Sequence, residues 1–203
     1  MIAPVPWKVL LIGGSSGVGK TVVARQIGRQ LGMPWLQADD LRLALTYSST
    51  PEQQPTLHAL AAAAIDPAAP AEAVFMRLIE TGRIVSHALE IVVANHIATA
   101  APLVIEGDGI LPAMAAQRRF ADRDALDQVR AAFVFESDEA ALFETALARG
   151  RGFDALTAPA QQKAVRRSWL YGRWLREEAL RSGLPVIDAR PWPTLAARLL
   201  AAL

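Results

Sequence analysis

Residues 14–21 are the feature of this chain that most constrains its fold. They read GSSGVGKT and fill every fixed position of the pattern G-x-x-x-x-G-K-[ST]. The pattern predicts a loop whose glycines let consecutive backbone N–H groups curve around phosphates, while its lysine reaches the outer phosphates and its last hydroxyl can bind Mg2+. We therefore predict nucleoside triphosphate binding, with Lys20 also catalytic and Thr21 also a metal ligand. The predicted phosphate-binding residues are Gly14, Ser15, Ser16, Gly17, Val18, Gly19, Lys20 and Thr21.

The segments on either side of this loop fit that interpretation. The apolar run 9–12 predicts a buried strand, and 22–31 predicts a helix whose positive N-terminal end faces the phosphates. Gly32 ends the helix, and Pro34 follows it. The alternative is a chance glycine-serine turn before a helix, and the presence of both the strand and the helix argues against it.

Strands and helices alternate along the rest of the chain. A helix from 71 to 100, with a break near Gly82, is predicted together with helices at 138–148, at 159–181 and from Thr194 onward. Strands are predicted at 35–38, 103–105, 131–135 and 185–188. This order predicts an α/β P-loop NTPase three-layer sandwich, with a central parallel five-stranded sheet, helices on both faces and a helical lid.

Length and local composition predict one domain over residues 1–203. At 203 residues, of which 52% are hydrophobic, the chain suits a single domain with a sizeable core. Residues 50–73 are rich in proline and alanine, so we predict short helical pieces that form an inserted cap or a mobile flap.

Composition excludes several kinds of site and partner. The net charge of +1 provides no general field for nucleic acid or an anionic membrane, and the absence of cysteine excludes disulfides, thiol catalysis and cysteine-bound zinc. The apolar stretch 84–105 carries too many polar residues for a membrane span. We expect a cytoplasmic protein, monomeric or homodimeric, that binds a small-molecule acceptor and neither nucleic acid nor membrane.

Histidines and tryptophans are predicted to be structural. His58, His87 and His96 lack metal-ligand spacing, which argues against a zinc site. Core or lid packing is predicted for Trp169, Tyr171 and Trp174, with adenine stacking as the alternative, and core positions are predicted for Trp7, Trp35 and Trp192.

Four motifs in order resemble those of the small P-loop kinases, and within them the 2-phosphoglycerate kinase-like proteins. The motifs are GGSSGVGKT around the loop, ADDLR at 38–42, LVIEGDGILP at 103–112 and GLPVIDA at 183–189. The resemblance spans nearly the whole chain. It implies an ATP- and Mg2+-dependent kinase that transfers the γ-phosphate to a hydroxyl of a small anionic metabolite resembling 2-phosphoglycerate.

Asp39, Asp40 and Arg42 are the candidate acceptor-site residues. In the kinases this chain resembles, an acid after the second strand, followed three residues later by arginine, contacts the acceptor. Asp39 is the candidate catalytic base, Arg42 could pair with a carboxylate or phosphate, and Asp40 is a further substrate-binding candidate. The alternative is that Asp39 only caps the following helix.

Glu106, Arg149 and Arg151 complete the predicted site. Glu106 follows three apolar residues, and the resemblance implies that it holds a Mg2+ water or the acceptor; Asp108 is a weaker rival, and a solvated turn is the alternative for both. Arg149 and Arg151 lie where similar kinases carry a lid, here residues 149–158, and would offset charge on the transferring phosphoryl group. Simple solvation is the alternative for these two arginines. Arg166, Arg167 and Arg173 are predicted to form a basic helix face, with contact between one of them and a substrate phosphate as the alternative.

Two other functions remain open on the sequence. A nucleoside or nucleotide kinase would use the arginines to clamp a nucleotide phosphate. A P-loop ATPase that regulates a partner would transfer no phosphate to a metabolite. The sequence lacks an N-K-x-D element of the kind that reads guanine in GTPases and the L-S-G-G-Q signature of transporter ATPases, which argues against several versions of such a regulator.

Overall fold

Five parallel strands form the central layer of the protein, in a computed structural model that describes residues 5–65, 69–150 and 152–203. The strands in chain order are β1 (Val9–Gly14), β2 (Trp35–Gln37), β3 (Leu103–Gly107), β4 (Arg119–Phe120), β5 (Arg123–Asp124), β6 (Val129–Phe135) and β7 (Val186–Asp188). The parallel sheet has the order β2-β3-β1-β6-β7, and β4 and β5 form a separate antiparallel pair. Every residue of the central strand β1 is buried, which explains its uninterrupted apolar sequence.

Helices cover both faces of this sheet. They are α1 (Lys20–Leu31), α2 (Ala38–Tyr47), α3 (Pro55–Ile65), α4 (Ala71–Ala98), α5 (Pro112–Ala115), α6 (Glu139–Arg149), α7 (Ala158–Arg181) and α8 (Leu195–Ala201), with a 3-10 helix at Trp192–Thr194. Alternate residues of β1 enter two separate cores: one includes side chains of α4 and α7, and the other includes side chains of α1 and α8. The predicted three-layer α/β fold and its five-stranded parallel sheet are confirmed.

Two predicted boundaries were wrong. Helix α4 runs through Gly82 without a break. Glycine is needed there for space, because an added Cβ would lie 2.8 Å from the Leu111 Cδ2 atom. Gly82 is therefore a packing contact within the helix. Ala38, predicted as the end of a strand, is buried at the start of α2.

The proline- and alanine-rich segment 50–73 is largely helical where it is described. Most of it is α3, which packs against α2 and α4 and buries Leu57 and Leu60. The ring nitrogen Nε2 of His58 lies 3.0 Å from the backbone oxygen of Ser49 and links α3 to the end of α2. A role for this segment as a cap or flap stays a prediction.

Residues 149–158, predicted as a lid, join two helices. Helix α6 ends at Arg149, α7 begins at Ala158, and residues 152–157 between them form turns and bends. Of the helices within the described ranges, none has the length and apolar character that a membrane span requires.

Candidate active site

The phosphate loop lies between the carboxyl end of β1 and the start of α1, at the edge of the sheet where ligands bind in open α/β folds. Three of its glycines, Gly14, Gly17 and Gly19, have backbone conformations that other residues adopt at a cost. Gly14 has φ of 141°, and a Cβ there would lie 2.4 Å from the Val134 carbonyl oxygen. Gly19, with φ of 90°, is the residue from which α1 begins. The positive N-terminal end of α1 therefore lies at the cleft.

Two side chains of the loop are fixed by hydrogen bonds. The Lys20 ammonium group is buried and donates to the Ser15 carbonyl oxygen at 2.8 Å. The Thr21 hydroxyl donates to Glu106 Oε1, also at 2.8 Å, and the β1–β3 register puts Glu106 opposite Ile12. Glu106 is buried; this burial raises the pKa of its carboxyl, while Lys20 and the Thr21 hydroxyl act in the opposite direction.

The Thr21 and Glu106 oxygens form a donor set that fits Mg2+. Mg2+ prefers hard oxygen ligands, and in phosphoryl-transfer sites it takes only one or two from the protein and the rest from phosphates and water. Within the part of the chain that the structure describes, there is no group of three or more histidine or acidic side chains suited to a metal. The few oxygens of this pair therefore suit Mg2+ bound together with a nucleotide.

Asp39 lies in the first turn of α2 and lines the same cleft as Lys20 and Thr21. The residue at the N-cap of α2 is Gln37, so the alternative that Asp39 only caps this helix is wrong. The Arg42 guanidinium Nε lies 3.4 Å from Asp39 Oδ1, one helical turn away. Asp40, by contrast, is exposed and is not among the residues that line the cleft.

Asp108 joins Asp39 in this part of the cleft. Burial, together with the charge of Asp39 and a hydrogen bond that the protonated Asp108 carboxyl donates to Asp39, raises the pKa of Asp108 to about 6, although Lys20 and Arg42 act in the opposite direction. Arg167 on α7 is close enough for the charge of Asp108 to support its protonation, while burial lowers its pKa. Asp39 and Asp108 therefore line one end of the cleft, which we call the acceptor end, and Arg42 and Arg167 lie near these two carboxylates.

Helix α7 contacts both the acceptor end and the phosphate loop. The buried Tyr171 hydroxyl donates to the backbone oxygen of Asp108, and burial raises the pKa of this hydroxyl well above its usual value. The Ser168 hydroxyl donates to the Ser16 backbone oxygen at 2.7 Å. Gly172 lies so near the loop that a Cβ there would be 2.8 Å from Ser15 Oγ. The sequence favoured packing for Tyr171, and for Arg167 it favoured a basic helix face while leaving contact with a substrate phosphate as an alternative.

The opposite end of the cleft is formed by residues that follow β7. Trp192 lines the cleft and is 43% exposed, so its predicted core position was wrong; Trp7 is buried as predicted. A methyl group on Gly19 would lie 3.8 Å from the Trp192 indole nitrogen. The missed signal was position: Trp192 follows the carboxyl end of a parallel strand, where the loops of such sheets meet ligands. The whole cleft has a volume of about 340 Å³.

Of the two predicted lid arginines, only Arg149 is described. It is exposed at the C-terminal end of α6 and lines the cleft, where its charge lowers the pKa of Glu106. Arg151 lies outside the described residues. The catalytic roles of both arginines stay predictions.

Solved structures with a similar fold match the chain over nearly its full length, although no protein-family model matches it and no curated protein matches it significantly. A sugar kinase from Janibacter sp. HTCC2649 is 18% identical, with 97% of this chain and 94% of that chain covered and a TM-score of 0.55. A shikimate kinase from Bacteroides thetaiotaomicron is 15% identical, with 96% and 97% covered and a TM-score of 0.51. At such identities the likeness establishes the fold, and the chain has the α/β P-loop fold found in these small-molecule kinases.

Proposed function

We propose that this protein is an ATP-dependent kinase that transfers the γ-phosphate to a hydroxyl of a small anionic metabolite resembling 2-phosphoglycerate. The observation that carries the proposal is the position of Asp39 in the same cleft as Lys20 and the Thr21–Glu106 pair. A carboxylate beside a phosphate loop supplies the proton acceptor that phosphoryl transfer to an alcohol requires.

The phosphate loop binds and orients the donor in this mechanism. Backbone N–H groups of residues 14–21 surround the phosphates, and the Lys20 ammonium leaves the Ser15 oxygen to bind the outer phosphates. Thr21 and Glu106 would hold Mg2+, which offsets negative charge on the phosphate oxygens when it is bound.

Asp39 acts as the general base that accepts the proton of the acceptor hydroxyl. The acceptor oxygen forms a bond to the γ-phosphorus as the bond between that phosphorus and the β–γ bridging oxygen breaks, and ADP leaves with the bonding electrons. The hydroxyl proton passes to the Asp39 carboxylate. Arg42 holds this carboxylate from one side, which orients it before the acceptor binds.

The two arginines at the acceptor end support an anionic acceptor. Arg42 and Arg167 approach from different helices, α2 and α7, and a guanidinium group binds carboxylate or phosphate oxygens in a bidentate manner. An anionic group on the acceptor would take over the Arg42 donor that Asp39 otherwise accepts from, and would be attracted by the charge of Arg167. Closure of residues 149–158, with Arg149 and Arg151, would keep water from the γ-phosphate.

A coupled assay of ADP release tests the proposal. The full chain is mixed with Mg-ATP and, in turn, with phosphorylated glycerates, phosphorylated and free sugars, nucleosides and nucleotides, and the product is identified by mass. We expect slow hydrolysis without acceptor and rapid ADP release with an anionic hydroxy compound. If ADP release is fastest with a nucleoside or nucleotide, the acceptor is of that class and not an anionic hydroxy metabolite. Fast ATP hydrolysis that needs no acceptor and is stimulated by a protein partner would instead indicate a regulatory ATPase.

A further inference from the structure

A second cavity lies where helix α1 ends and the edge strand β2 begins. It has a volume of about 550 Å³, and β2 is at the border of the parallel sheet. We call this cavity the arginine groove, and its lining includes Arg25, Gly28, Arg29, Gly32, Pro34 and Trp35. Of these residues, only Arg25 also lines the catalytic cleft. The groove is therefore a separate recess that meets the cleft at one side chain.

Two arginines and two glycines form one side of α1 and of its C-terminal cap. Residues 25, 28, 29 and 32 follow the spacing that places side chains on the same side of a helix. A Cβ on Gly28 would lie 2.8 Å from the Met33 backbone oxygen, and a Cβ on Gly32 would meet no atom within 4 Å. Neither glycine fills the space, so backbone forms the floor of the recess between the Arg25 and Arg29 side chains.

The arginine groove carries positive charge and has no acidic residue in its lining. Within residues 5–65, 69–150 and 152–203, neither Arg25 nor Arg29 makes a hydrogen bond or an ion pair. The first acidic residue of the chain is Asp39, which comes after both arginines. The Arg25 guanidinium carbon lies 4.5 Å from the centre of the Trp35 ring, and this contact holds the charge beside the groove. The donors of two neighbouring guanidinium groups are therefore available to an anion.

The position of Arg29 gives an alternative role for this residue. Arg29 is in the last turn of α1, where a cation offsets the partial negative charge of a helix end. The Gly28 backbone oxygen at this end already accepts from the N–H groups of Gly32 and Met33. An effect on the helix dipole uses none of the five N–H donors of a guanidinium group. Arg29 can therefore offset the helix end and bind an anion as well.

The arginine groove is too far from the phosphate loop to hold the outer phosphates of the donor. An α-helix rises about 1.5 Å per residue, so Arg29 lies roughly 14 Å from Lys20 along the axis of α1. Lys20 and Thr21 are at the opposite end of this helix, where the proposed kinase binds the donor phosphates. An anion in the groove is therefore not the β- or γ-phosphate of the donor.

We propose that the arginine groove binds the phosphate group of a phosphorylated small molecule, with Arg25 and Arg29 as its ligands. A guanidinium group matches phosphate oxygens with two parallel N–H donors. Two such groups balance the charge of roughly −1.5 to −2 that a phosphate monoester carries at neutral pH, whereas a carboxylate would balance only one of them. The inference does not depend on the proposed function, because no step of the proposed mechanism uses this groove.

An NMR titration with inorganic phosphate, which follows the tryptophan indole N–H signals, tests this inference. The full chain, with Mg2+ and a saturating non-hydrolysable ATP analogue, is titrated at constant ionic strength. The Trp35 signal, assigned with Trp35→Phe, should shift with phosphate and give a Kd, whereas the Trp169 signal should not move. Arg29→Met should weaken this Kd by about 10- to 150-fold, the equivalent of one hydrogen bond to a charged group.

Two sources can supply the phosphate group: a distal part of the acceptor, or a separate molecule that acts as an effector. Inorganic phosphate added to the assay of ADP release distinguishes them. A rise in the KM of the acceptor that is absent from Arg29→Met indicates the acceptor's own phosphate. An unchanged KM indicates a separate molecule, and both results support the groove as a phosphate site.

Arg83→Met is the matched control, because Arg83 is an exposed arginine on α4 that does not line the groove. Its Kd for phosphate should equal that of the wild type. Arg29→Met should keep its affinity for the ATP analogue, since Arg29 does not line the cleft, and this shows that the variant is folded. A Trp35 signal that does not respond to phosphate, or equal Kd values in Arg29→Met and Arg83→Met, overturns the inference whether or not the protein is a kinase. Arg29 would then only offset the end of α1.

Discussion

The phosphate loop and the acceptor end of the cleft are built in different ways. The loop consists of eight consecutive residues whose shape depends on their own glycines and on bonds such as that from Lys20 to Ser15. The acceptor end brings Asp39 of α2, Asp108 after β3 and Arg167 of α7 together from three separate segments. A contiguous site is set by local backbone geometry, whereas a dispersed site depends on the packing of the whole fold. Substitutions in the two regions should therefore differ in their effects on the transfer rate and on ATP affinity.

The largest expected effect is that of Lys20→Ala in the phosphate loop. Loss of the ammonium group removes a positive charge that stabilises the transferring phosphoryl group, and the rate of transfer should fall by roughly a hundred- to a thousandfold or more. Turnover with saturating ATP and acceptor measures this loss. Lys8→Ala is the control, because Lys8 lies just before β1, at the end of the strand away from the loop. Normal turnover in Lys20→Ala would show that the phosphate loop lysine does not take part in phosphoryl transfer.

Asp39→Asn should have the next largest effect, and it tests the acceptor end. The amide keeps the size of the side chain but cannot accept the proton, so the transfer rate should fall by about a hundredfold or more. ATP affinity should change little, since the loop is untouched. The control is Asp40→Asn, which alters the exposed neighbour outside the cleft lining. A larger loss in Asp40→Asn than in Asp39→Asn would contradict the assignment of the base.

A smaller effect is expected for Arg149→Met, at the lid. Arg149 is exposed, so its charge should matter mainly once the lid has closed over the nucleotide. We expect about a tenfold lower transfer rate, equal to roughly 1.4 kcal/mol of transition-state stabilisation, with nearly unchanged ATP affinity. Single-turnover rates and equilibrium ATP binding separate these quantities. Arg166→Met is the control, because Arg166 lies on α7, pairs with Glu139 and does not line the cleft. Equal transfer rates in Arg149→Met and Arg166→Met would show that Arg149 does not contribute to the transfer step.

The smallest effect is expected for Ser168→Ala, which removes the hydrogen bond from α7 to the Ser16 backbone oxygen. The free energy of unfolding should fall by about 0.5–1.5 kcal/mol, the usual value of one such bond. Thermal or denaturant unfolding measures this change, and Ser182→Ala, an exposed position after α7, is the control. Equal stability of the two variants would mean that the loop keeps its shape without support from α7.

The sequence predicted the contiguous parts of the site better than the dispersed ones. The phosphate-binding motif needs only its own residues, and the spacing of Asp39 and Arg42 on one helix already places their side chains together. Arg167 and Asp108 are 59 positions apart in the numbering. No local sequence pattern predicts that α7 packs against the loop after β3, so the sequence could not show that these two residues are neighbours. Trp192 was assigned to the core because tryptophan is usually buried, although its place after a parallel strand indicated the cleft.

Helix α7 has a further consequence for how the length of this chain can vary. Ser168, Tyr171 and Gly172 meet the site from one face of the helix, because residues three and four apart lie on the same side. Each residue advances an α-helix by about 100°. One residue inserted between Ser168 and Tyr171 would therefore rotate one of these side chains away from the site. An insertion in the turns at 152–157 would leave the relative positions of the three residues on the helix unchanged. Insertions and deletions should accordingly be tolerated before α7 and not within its middle turns.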